Sequence, residues 1–370
     1  MALRKVQSYQ PELEKKKERE EREVNKKPYF FVRHWVGLVI IIASFVATSV
    51  LITLLTSVEF TSPTFVRKIK PPVYYASLSG LEVETEAETN RPITAIMIPN
   101  DNYGARPQSG IGQAELVFEA VAEGGITRFM ALYQKNQPSL VGPIRSVRPY
   151  FLYWVEPFEA SIAQTGASAR ANQELRSGRY RDIGFDHNSK YFWRDRSRRA
   201  PNNVYTNFEK INQLNQSKGY GSSNPDMFLR QKSKAVEEPN ATQINLKISR
   251  SAIYNSYYTY DTNTNKYTRH QNGAVHSDRE SGPIQSDVVI ALRVIENRVL
   301  EDGYRENIEV IGEGKVYIFQ NGTVIEATWK KPEHKKQIRF YDNDGKEIAI
   351  NRGHVWITAI PNNVGDVSWQ

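Results

Sequence analysis

Two glutamates four residues apart, Glu119 and Glu123, are the first side chains of this sequence that could do chemistry, and Arg128 follows closely. A pair of carboxylates can serve as acid and base on a glycosidic bond when roughly 5 to 9.5 Å separates them. Four residues along a β-strand span about 13 Å, which is too far, whereas in a helix the two would be neighbours. The surrounding sequence favours a strand. Two interpretations stay open, an acid–base pair and a structural ion-pair cluster.

Three arginines and a glutamine stand beside stiff turns, Arg106 and Gln108 in one segment and Arg145 and Arg148 in another. Prolines flank the second pair and limit its backbone freedom. Guanidinium groups held in place suit the capture of phosphate or carboxylate through two hydrogen bonds. Together with the three residues named above, these four form the predicted ligand-binding site. It is either an anion-binding pocket or an internal salt network.

Aromatic and basic residues interleave between Lys190 and Arg199. Such a pattern is typical of surfaces on which nucleic-acid bases or sugars stack. An extracytoplasmic location favours a glycan or wall polymer as the partner. The alternative is an arginine-rich loop that its own aromatic side chains fold over the core.

His270, His276 and Asp278 could ligate zinc, but their spacing matches no metalloprotease motif. The chain has no cysteine, which excludes a thiolate metal site and a cysteine nucleophile. Neither a serine-nucleophile elbow nor a dinucleotide-binding glycine motif is present. We therefore expect no metal and no cofactor, and catalytic residues stay unassigned.

A β-hairpin is predicted to position the two glutamates, because a Gly124-Gly125 turn separates the apolar runs Leu116–Glu123 and Ile126–Tyr133. The residues predicted to share its apolar face are Phe118, Ala120, Ala122, Phe129 and Ala131. The opposite face is predicted to carry Glu119, Val121 and Glu123, with Arg128 across from Val121. In that register Arg128 lies diagonally between the two carboxylates.

The elements around the hairpin predict an α+β fold. A buried strand is expected at Thr94–Pro99 and a helix from Pro149, and Ser168 and Asn207 are expected to cap two later helices. After about residue 238, strands and Asn-Gly turns dominate. We expect a mixed α/β-sheet first domain over residues 93–238 and a mainly antiparallel β second domain over residues 239–361. Residues 59–92, rich in proline and glutamate, are predicted to be a linker.

One transmembrane helix is predicted at residues 35–58, because about 24 residues without a charge suffice to cross a bilayer. No cleavage site of small residues follows, so we expect the helix to be retained. Lysine and arginine are denser before the helix, which predicts a cytoplasmic tail at residues 1–34 and an extracytoplasmic C-terminal part. The tail supplies about half of the net charge of +8, so the remainder is only mildly basic and a nucleic-acid partner is not expected.

Taken together, several segments resemble the YerB-like family, which comprises bacterial cell-envelope proteins with paired domains of unknown function (DUF3048 type). The resemblance covers about residues 93–361 and rests on Ala105–Gly110, Glu123–Phe129, Val141–Pro149, His276–Asp278, Tyr317–Gly322 and Gly353–Ile357. It implies an α+β first domain and a surface protein of the Gram-positive type, often lipid-anchored. This chain carries an apolar helix where such members carry a lipidated cysteine. The resemblance implies no activity.

The sequence as a whole predicts a membrane-anchored, extracytoplasmic binding or regulatory module of the cell envelope. Its expected ligand is an anionic or glycan cell-wall polymer or an envelope protein. The alternative is a cell-wall hydrolase or transferase that uses Glu119 or Glu123 as acid or base. An open pocket with convergent polar groups would favour the enzyme, and a closed salt network would exclude it.

Overall fold

A computed structural model of the protein describes residue 19 and residues 27–57, 72–298 and 305–370. Its N-terminal helix runs from Lys27 to Ser57. Within this helix, His34–Ser57 has a mean hydropathy of 2.7 and is long and apolar enough to cross a membrane. Most of the predicted tail, Val58 at the end of the predicted span and linker residues 59–71 lie outside the described residues.

Among residues 72–298 and 305–370, ten strands form a central sheet. In chain order they are β1 Thr94–Pro99, β2 Leu116–Glu123, β3 Ile126–Tyr133, β4 Ser161–Ala163, β5 Arg181–Asp182, β6 Val288–Val294, β7 Gly312–Gln320, β8 Thr323–Lys331, β9 Arg339–Tyr341 and β10 Val355–Pro361. Their order across the sheet is β9-β8-β7-β6-β10-β2-β3-β1-β4-β5. Strand β10 lies between β6 and β2 and runs parallel to both, so strands from the two halves of the sequence are neighbours.

The α+β fold class is confirmed. The predicted domains at residues 93–238 and 239–361 share the central sheet, and Pro72–Gln370 forms one compact unit. The predicted linker is too long at its C-terminal end, because strands Tyr74–Tyr75 and Glu82–Val83 pair and Leu78 is fully buried. Burying a leucine side chain contributes about 1.5 to 3 kcal/mol, which favours packing this segment despite its glutamates.

A second sheet packs against one face of the central sheet and shares a hydrophobic core with it. Its strands are Gln243–Lys247, Ser256–Asp261, Lys266–Gln271, Ala274–Val275, Gln285–Ser286 and Asp366–Trp369. Short two-stranded pairs are formed by Trp193–Arg194 with Val204–Tyr205, Arg230–Gln231 with Ile350–Asn351, Ser277–Asp278 with Gly282–Pro283, and Glu296–Arg298 with Glu306–Ile308. The asparagine-glycine turns after β7 and after Lys266–Gln271 adopt the left-handed backbone that such turns require.

Helices cover the rest of the unit, at Pro149–Val155, Ala169–Arg176, Phe185–Asn188 and Phe208–Ser217. Short 3₁₀ segments lie at Glu86–Asn90, Ile111–Gln113, Glu156–Phe158, Ser189–Tyr191 and Ala252–Tyr254. The predicted helix start at Pro149 and the predicted N-caps Ser168 and Asn207 are confirmed. The 3₁₀ turn Ala252–Tyr254 leads directly into the strand Ser256–Asp261.

Strand β2 explains why polar groups end up inside the molecule. Leu116 and Phe118 belong to the core beside helix Pro149–Val155, whereas Val117 and Val121 belong to the core under the second sheet. A strand buried on both faces reads as a nearly continuous apolar run, as this one does. Glu119 stands in the middle of that run and is carried into the interior with it.

Candidate functional site

The predicted hairpin is confirmed, but its predicted register is wrong. Gly124 and Gly125 both adopt positive φ angles, 57° and 78°, which a tight turn requires and glycine supplies without strain. The pairing slips between Val121 and Glu123, so a β-bulge leaves Ala122 without a partner. Arg128 consequently pairs with Ala120 rather than with Val121.

The bulge moves the two glutamates onto opposite faces of the central sheet. Glu119 is paired with Phe129 and faces the core under the second sheet, to which Phe129 belongs. Glu123 turns towards Arg128 on the face that carries helix Pro149–Val155. The predicted faces are therefore wrong for Phe129 and Ala131, and Arg128 does not lie between two carboxylates.

Glu119 is closed in a buried ion pair with Arg269, whose side chain, like that of Glu119, has no solvent exposure. One Nη of Arg269 donates to both carboxylate oxygens at 3.0 Å. Trp356 Nε1 donates to the same carboxylate at 2.9 Å. The guanidinium also lies 4.7 Å from the centre of the Trp356 ring and 5.5 Å from that of Phe129, at cation–π distance.

The network continues from Arg269 to the predicted residues Gln108 and Arg106. Arg269 Nη1 donates to His276 Nδ1 at 2.6 Å, so His276 Nε2 carries the proton and donates to Gln108 Oε1 at 3.0 Å. Burial and the charges of Arg269 and Arg106 hold the pKa of His276 well below its usual range, consistent with a neutral ring. Arg106 donates to the side chain and the carbonyl of Asn100, both at 2.9 Å.

The possible zinc ligands serve other purposes. His276 belongs to the network just described, while His270 stacks on Tyr257 at 4.4 Å and contacts Thr259 through Nε2 at 3.0 Å. Asp278 accepts the backbone N–H groups of residues 112, 280 and 281. Among the described residues these three side chains do not converge on a common point.

Glu123 is the centre of a second ion cluster, on the other face of the sheet. Arg128 and Arg148 each approach one of its oxygens at 2.6 Å. The Glu123 side chain keeps 20% of its surface exposed, whereas both arginine side chains are nearly buried. Burial raises the pKa of Glu123, but Arg128 and Arg148 outweigh it and lower the pKa below its usual value. Glu123 is therefore a carboxylate at neutral pH.

Arg145 brings a third guanidinium near enough to Arg128 to lower its pKa, without adding a carboxylate. Its backbone N–H donates to Met97 and its carbonyl accepts from Thr165, which fixes it beside β1 and the end of β4. Its side chain is half-buried, its Nε is buried, and within the described ranges its guanidinium has no hydrogen bond and no ion pair. Burial lowers the pKa of Arg128 to about 10, with Arg148 and Arg145 adding to the effect against Glu123.

The seven predicted ligand-binding residues thus fall into two groups rather than one cleft. Arg106, Gln108 and Glu119 lie in the buried network under the second sheet, and Glu123, Arg128 and Arg148 lie on the opposite face, with Arg145 near enough to Arg128 to lower its pKa. Their role in ligand binding stays a prediction. The sequence interpretation missed Arg269, His276 as its partner, and Trp356. The one available signal was the alternation of Tyr267, Arg269 and Gln271, which puts an arginine on the buried side of a strand.

The segment Lys190–Arg199 forms part of a small hairpin between strands Trp193–Arg194 and Val204–Tyr205. Some of its basic groups rest on aromatic rings, since Lys190 lies 4.8 Å from the Tyr191 ring and Arg194 lies 5.3 Å from the Phe185 ring. Phe192 is buried in the core. The aromatic side chains therefore fold this segment onto the protein, and part of its basic charge is left at the surface.

The structure defines the class as an α+β protein in which both halves of the sequence contribute strands to one sheet, and its N-terminal apolar helix is long enough to cross a membrane. The chain belongs to the DUF3048 family: its model "Protein of unknown function (DUF3048) N-terminal domain" matches residues 78–221, and the corresponding C-terminal domain matches residues 244–357.

One relative is the Bacillus subtilis (strain 168) protein named "Putative lipoprotein YerB". It is 32% identical over 306 residues, which cover 81% of this chain and 88% of the relative. The crystal structure of YerB protein from Bacillus subtilis superimposes with a TM-score of 0.71 at 31% identity, covering 80% of this chain and 99% of that one. The resemblance to the YerB-like family is confirmed.

Proposed function

We propose that this chain is a single-pass, extracytoplasmic binding module of the bacterial cell envelope that accepts an anionic group at Arg145. The apolar helix His34–Ser57 and the lipoprotein name of the relative both support membrane association. The denser lysine and arginine before the helix support a cytoplasmic N-terminus. The folded unit is then exposed to envelope polymers and envelope proteins.

A local excess of positive charge carries the proposal. Arg128 and Arg148 pair with the single carboxylate of Glu123, and a third guanidinium, that of Arg145, is near enough to Arg128 to lower its pKa. Arg128 and Arg148 are engaged in these ion pairs, whereas the guanidinium of Arg145 has no hydrogen-bond partner among the described residues. A half-buried arginine with unused donors favours an external anion, because a partly desolvated charge is costly until it is paired.

The position of Arg145 also suits a ligand. It stands beside the carboxyl ends of the neighbouring parallel strands β1 and β4. Ligands of open α/β sheets collect at such ends, because the loops there present backbone and side-chain donors. Ser146 and Thr165, both half-buried, lie next to Arg145 and add hydroxyl groups to this region.

The alternative, a hydrolase or transferase, is less compatible with the two carboxylates. Glu119 has no exposed surface and is closed by Arg269 and Trp356, so a substrate does not reach it. Glu123 is held ionised by two arginines and is poorly suited to donate a proton. Its use as a base would require breaking an ion pair with a nearly buried arginine.

Titration of the full-length protein in an uncharged detergent with inorganic phosphate and pyrophosphate tests the proposal. Charge-assisted hydrogen bonds contribute about 1.5 to 3 kcal/mol each, so Arg145→Gln is expected to weaken pyrophosphate binding about tenfold or more. The matched control is Arg176→Gln, an exposed arginine in the last turn of helix Ala169–Arg176. Equal affinity of the Arg145→Gln and control proteins would contradict an anion site at Arg145.

A further inference from the structure

A strongly basic hairpin lies next to the proposed anion site. We call residues 193–205 the arginine hairpin; its strands are Trp193–Arg194 and Val204–Tyr205. Four arginines fall within six of its residues, against one aspartate, Asp195. Asp195 is itself engaged, since it accepts from Ser197 and lies 3.6 Å from Arg279. The hairpin therefore presents an excess of positive charge.

Two of the four arginines hold the structure together. Arg198 donates to the carbonyl groups of Gly104, Ala105 and Pro107 at 2.9, 3.2 and 2.6 Å. Arg194 donates to Asn203 Oδ1 at 2.8 Å and rests on a phenylalanine ring. The role of both groups in fixing the loop is sufficient to explain their presence.

Arg196 and Arg199 have no such role. Both are exposed, and among the residues that the structure describes neither guanidinium has a hydrogen bond, an ion pair or an aromatic partner. An exposed arginine without a partner is common, and one contact with it contributes little. Two of them stand on a hairpin that is hydrogen-bonded to the segment of Arg145, and several weak contacts to one ligand can act together.

Backbone contacts connect the hairpin to Arg145 by two routes. The carbonyl of Val204, which is in register with Arg194, accepts the N–H of Ile144, the residue before Arg145, at 2.8 Å. On the other side, Arg145 bonds to Thr165, and Gln164 bonds to Phe185, the ring under Arg194. The segment that carries Arg145 is thus hydrogen-bonded directly to the second strand of the arginine hairpin.

We propose that Arg145 and the arginine hairpin form a surface that binds a linear polyanion, with one anionic group at Arg145 and the following groups along the arginine hairpin. The inference rests on the proposed function and extends it from a single group to a polymer with repeated charges. A strand of polymer can place one group into the half-buried position while its neighbours reach Arg196 and Arg199. A flat membrane surface of lipid head groups reaches the exposed pair more easily than Arg145, which favours the polymer.

The test compares inorganic polyphosphate with orthophosphate on the full-length protein in an uncharged detergent. Arg196→Gln with Arg199→Gln is expected to weaken polyphosphate binding about tenfold, roughly threefold for each exposed contact, and to leave orthophosphate binding unchanged. The dependence of log K on log salt should become shallower by about 1.4, at about 0.7 for each lost contact to a single strand. The control removes the same charge at Lys335 and Lys346, two exposed lysines on either side of the sheet-edge strand β9.

The outcomes separate the two proposals. If the hairpin double variant binds polyphosphate as tightly as the lysine control, the polyanion surface is refuted, whereas a loss in Arg145→Gln alone still supports the single anion site. If only the hairpin variant loses affinity, the exposed surface is supported and the role of Arg145 is refuted. Binding to vesicles that contain phosphatidylglycerol, without binding to polyphosphate, would overturn the polymer in favour of a membrane surface. Circular dichroism of each variant establishes that it is folded.

Discussion

Replacing Arg269 by methionine is the perturbation that most severely tests the buried network. The change leaves the carboxylate of Glu119 in the interior with Trp356 as its strongest remaining donor. Breaking a buried ion pair from one side costs about 3 to 5 kcal/mol, because the remaining charge is uncompensated. The change also removes the cation–π contact between the guanidinium and the Trp356 ring, at 4.7 Å. Such contacts contribute from about 0.5 kcal/mol when exposed to about 2 kcal/mol when desolvated.

We therefore expect Arg269→Met to lower the free energy of unfolding by about 4 kcal/mol, a large part of the roughly 5 to 15 kcal/mol of a typical protein. The double variant Glu119→Gln with Arg269→Met removes both charges and should recover at least about 2 kcal/mol of that loss. Urea unfolding of the full-length protein in an uncharged detergent, followed by near-ultraviolet circular dichroism, measures each value.

The matched control for this cycle is Lys330→Met, which breaks an exposed ion pair with Glu313 at 3.1 Å. Exposed pairs contribute about 0 to 1 kcal/mol, so this variant should unfold almost like the wild type. A loss below about 1 kcal/mol for Arg269→Met, or single losses that simply add in the double variant, would refute the reasoning about the buried pair.

Further predictions concern pH, the second ion cluster and backbone space. Burial lowers the pKa of His354 to about 4, below the unfolded value of about 6.5. Between these two values the unfolded state binds more protons than the folded state. The free energy of unfolding should therefore fall by about 3 kcal/mol as the pH drops from 7 to 4. His354→Gln should flatten that part of a plot of urea midpoint against pH. Arg148→Met should lower the free energy of unfolding, measured in urea, by about 3 kcal/mol at pH 7 and by less at pH 3. The reason is that the pKa of Glu123 is lowered in the folded state. The stability that this ion pair contributes is present above about pH 4.3 and is lost as the pH falls through the folded pKa. Gly142→Ala should cost about 1 to 3 kcal/mol in thermal unfolding, because its Cβ would lie 2.5 Å from the ring of Tyr205; an unchanged melting temperature would contradict that placement.

The hairpin shows what the sequence could predict and what it could not. Gly124 and Gly125 between apolar runs located the turn and both strands correctly. The register could not be predicted, because β2 is buried and mostly apolar on both faces. Its residues then show no alternation of apolar and polar side chains that would tell one face from the other. The single bulged residue Ala122 places Glu123, and the residues Phe129 and Ala131 of the paired strand, on the faces opposite to those predicted.

The buried ion pair was out of reach for another reason. Glu119 and Arg269 are 150 residues apart and meet only because the second sheet packs over the central one. Local patterns report on neighbours along one element, and they do not report which element will cover another. The linker prediction failed in a similar way. The segment around the buried Leu78 has too few apolar residues among its glutamates for the sequence to indicate that it is packed.

Arg145 was singled out from the sequence because prolines stiffen its surroundings, and in the structure its guanidinium is near enough to Arg128 to lower the pKa of that group. The prediction treated Arg145 and Arg148 as equivalent. They differ because Arg148 is paired with Glu123 and Arg145 is not.

A crystal structure of the protein soaked in tungstate, an anomalously scattering analogue of phosphate, tests the central claim most directly. We expect an anomalous peak whose oxygen atoms lie about 2.7 to 2.9 Å from the Arg145 guanidinium. The peak should be absent from crystals of Arg145→Gln grown under the same conditions. An Arg145 side chain paired with a protein carboxylate, or a tungstate peak that persists in the variant, would contradict an anion site at Arg145.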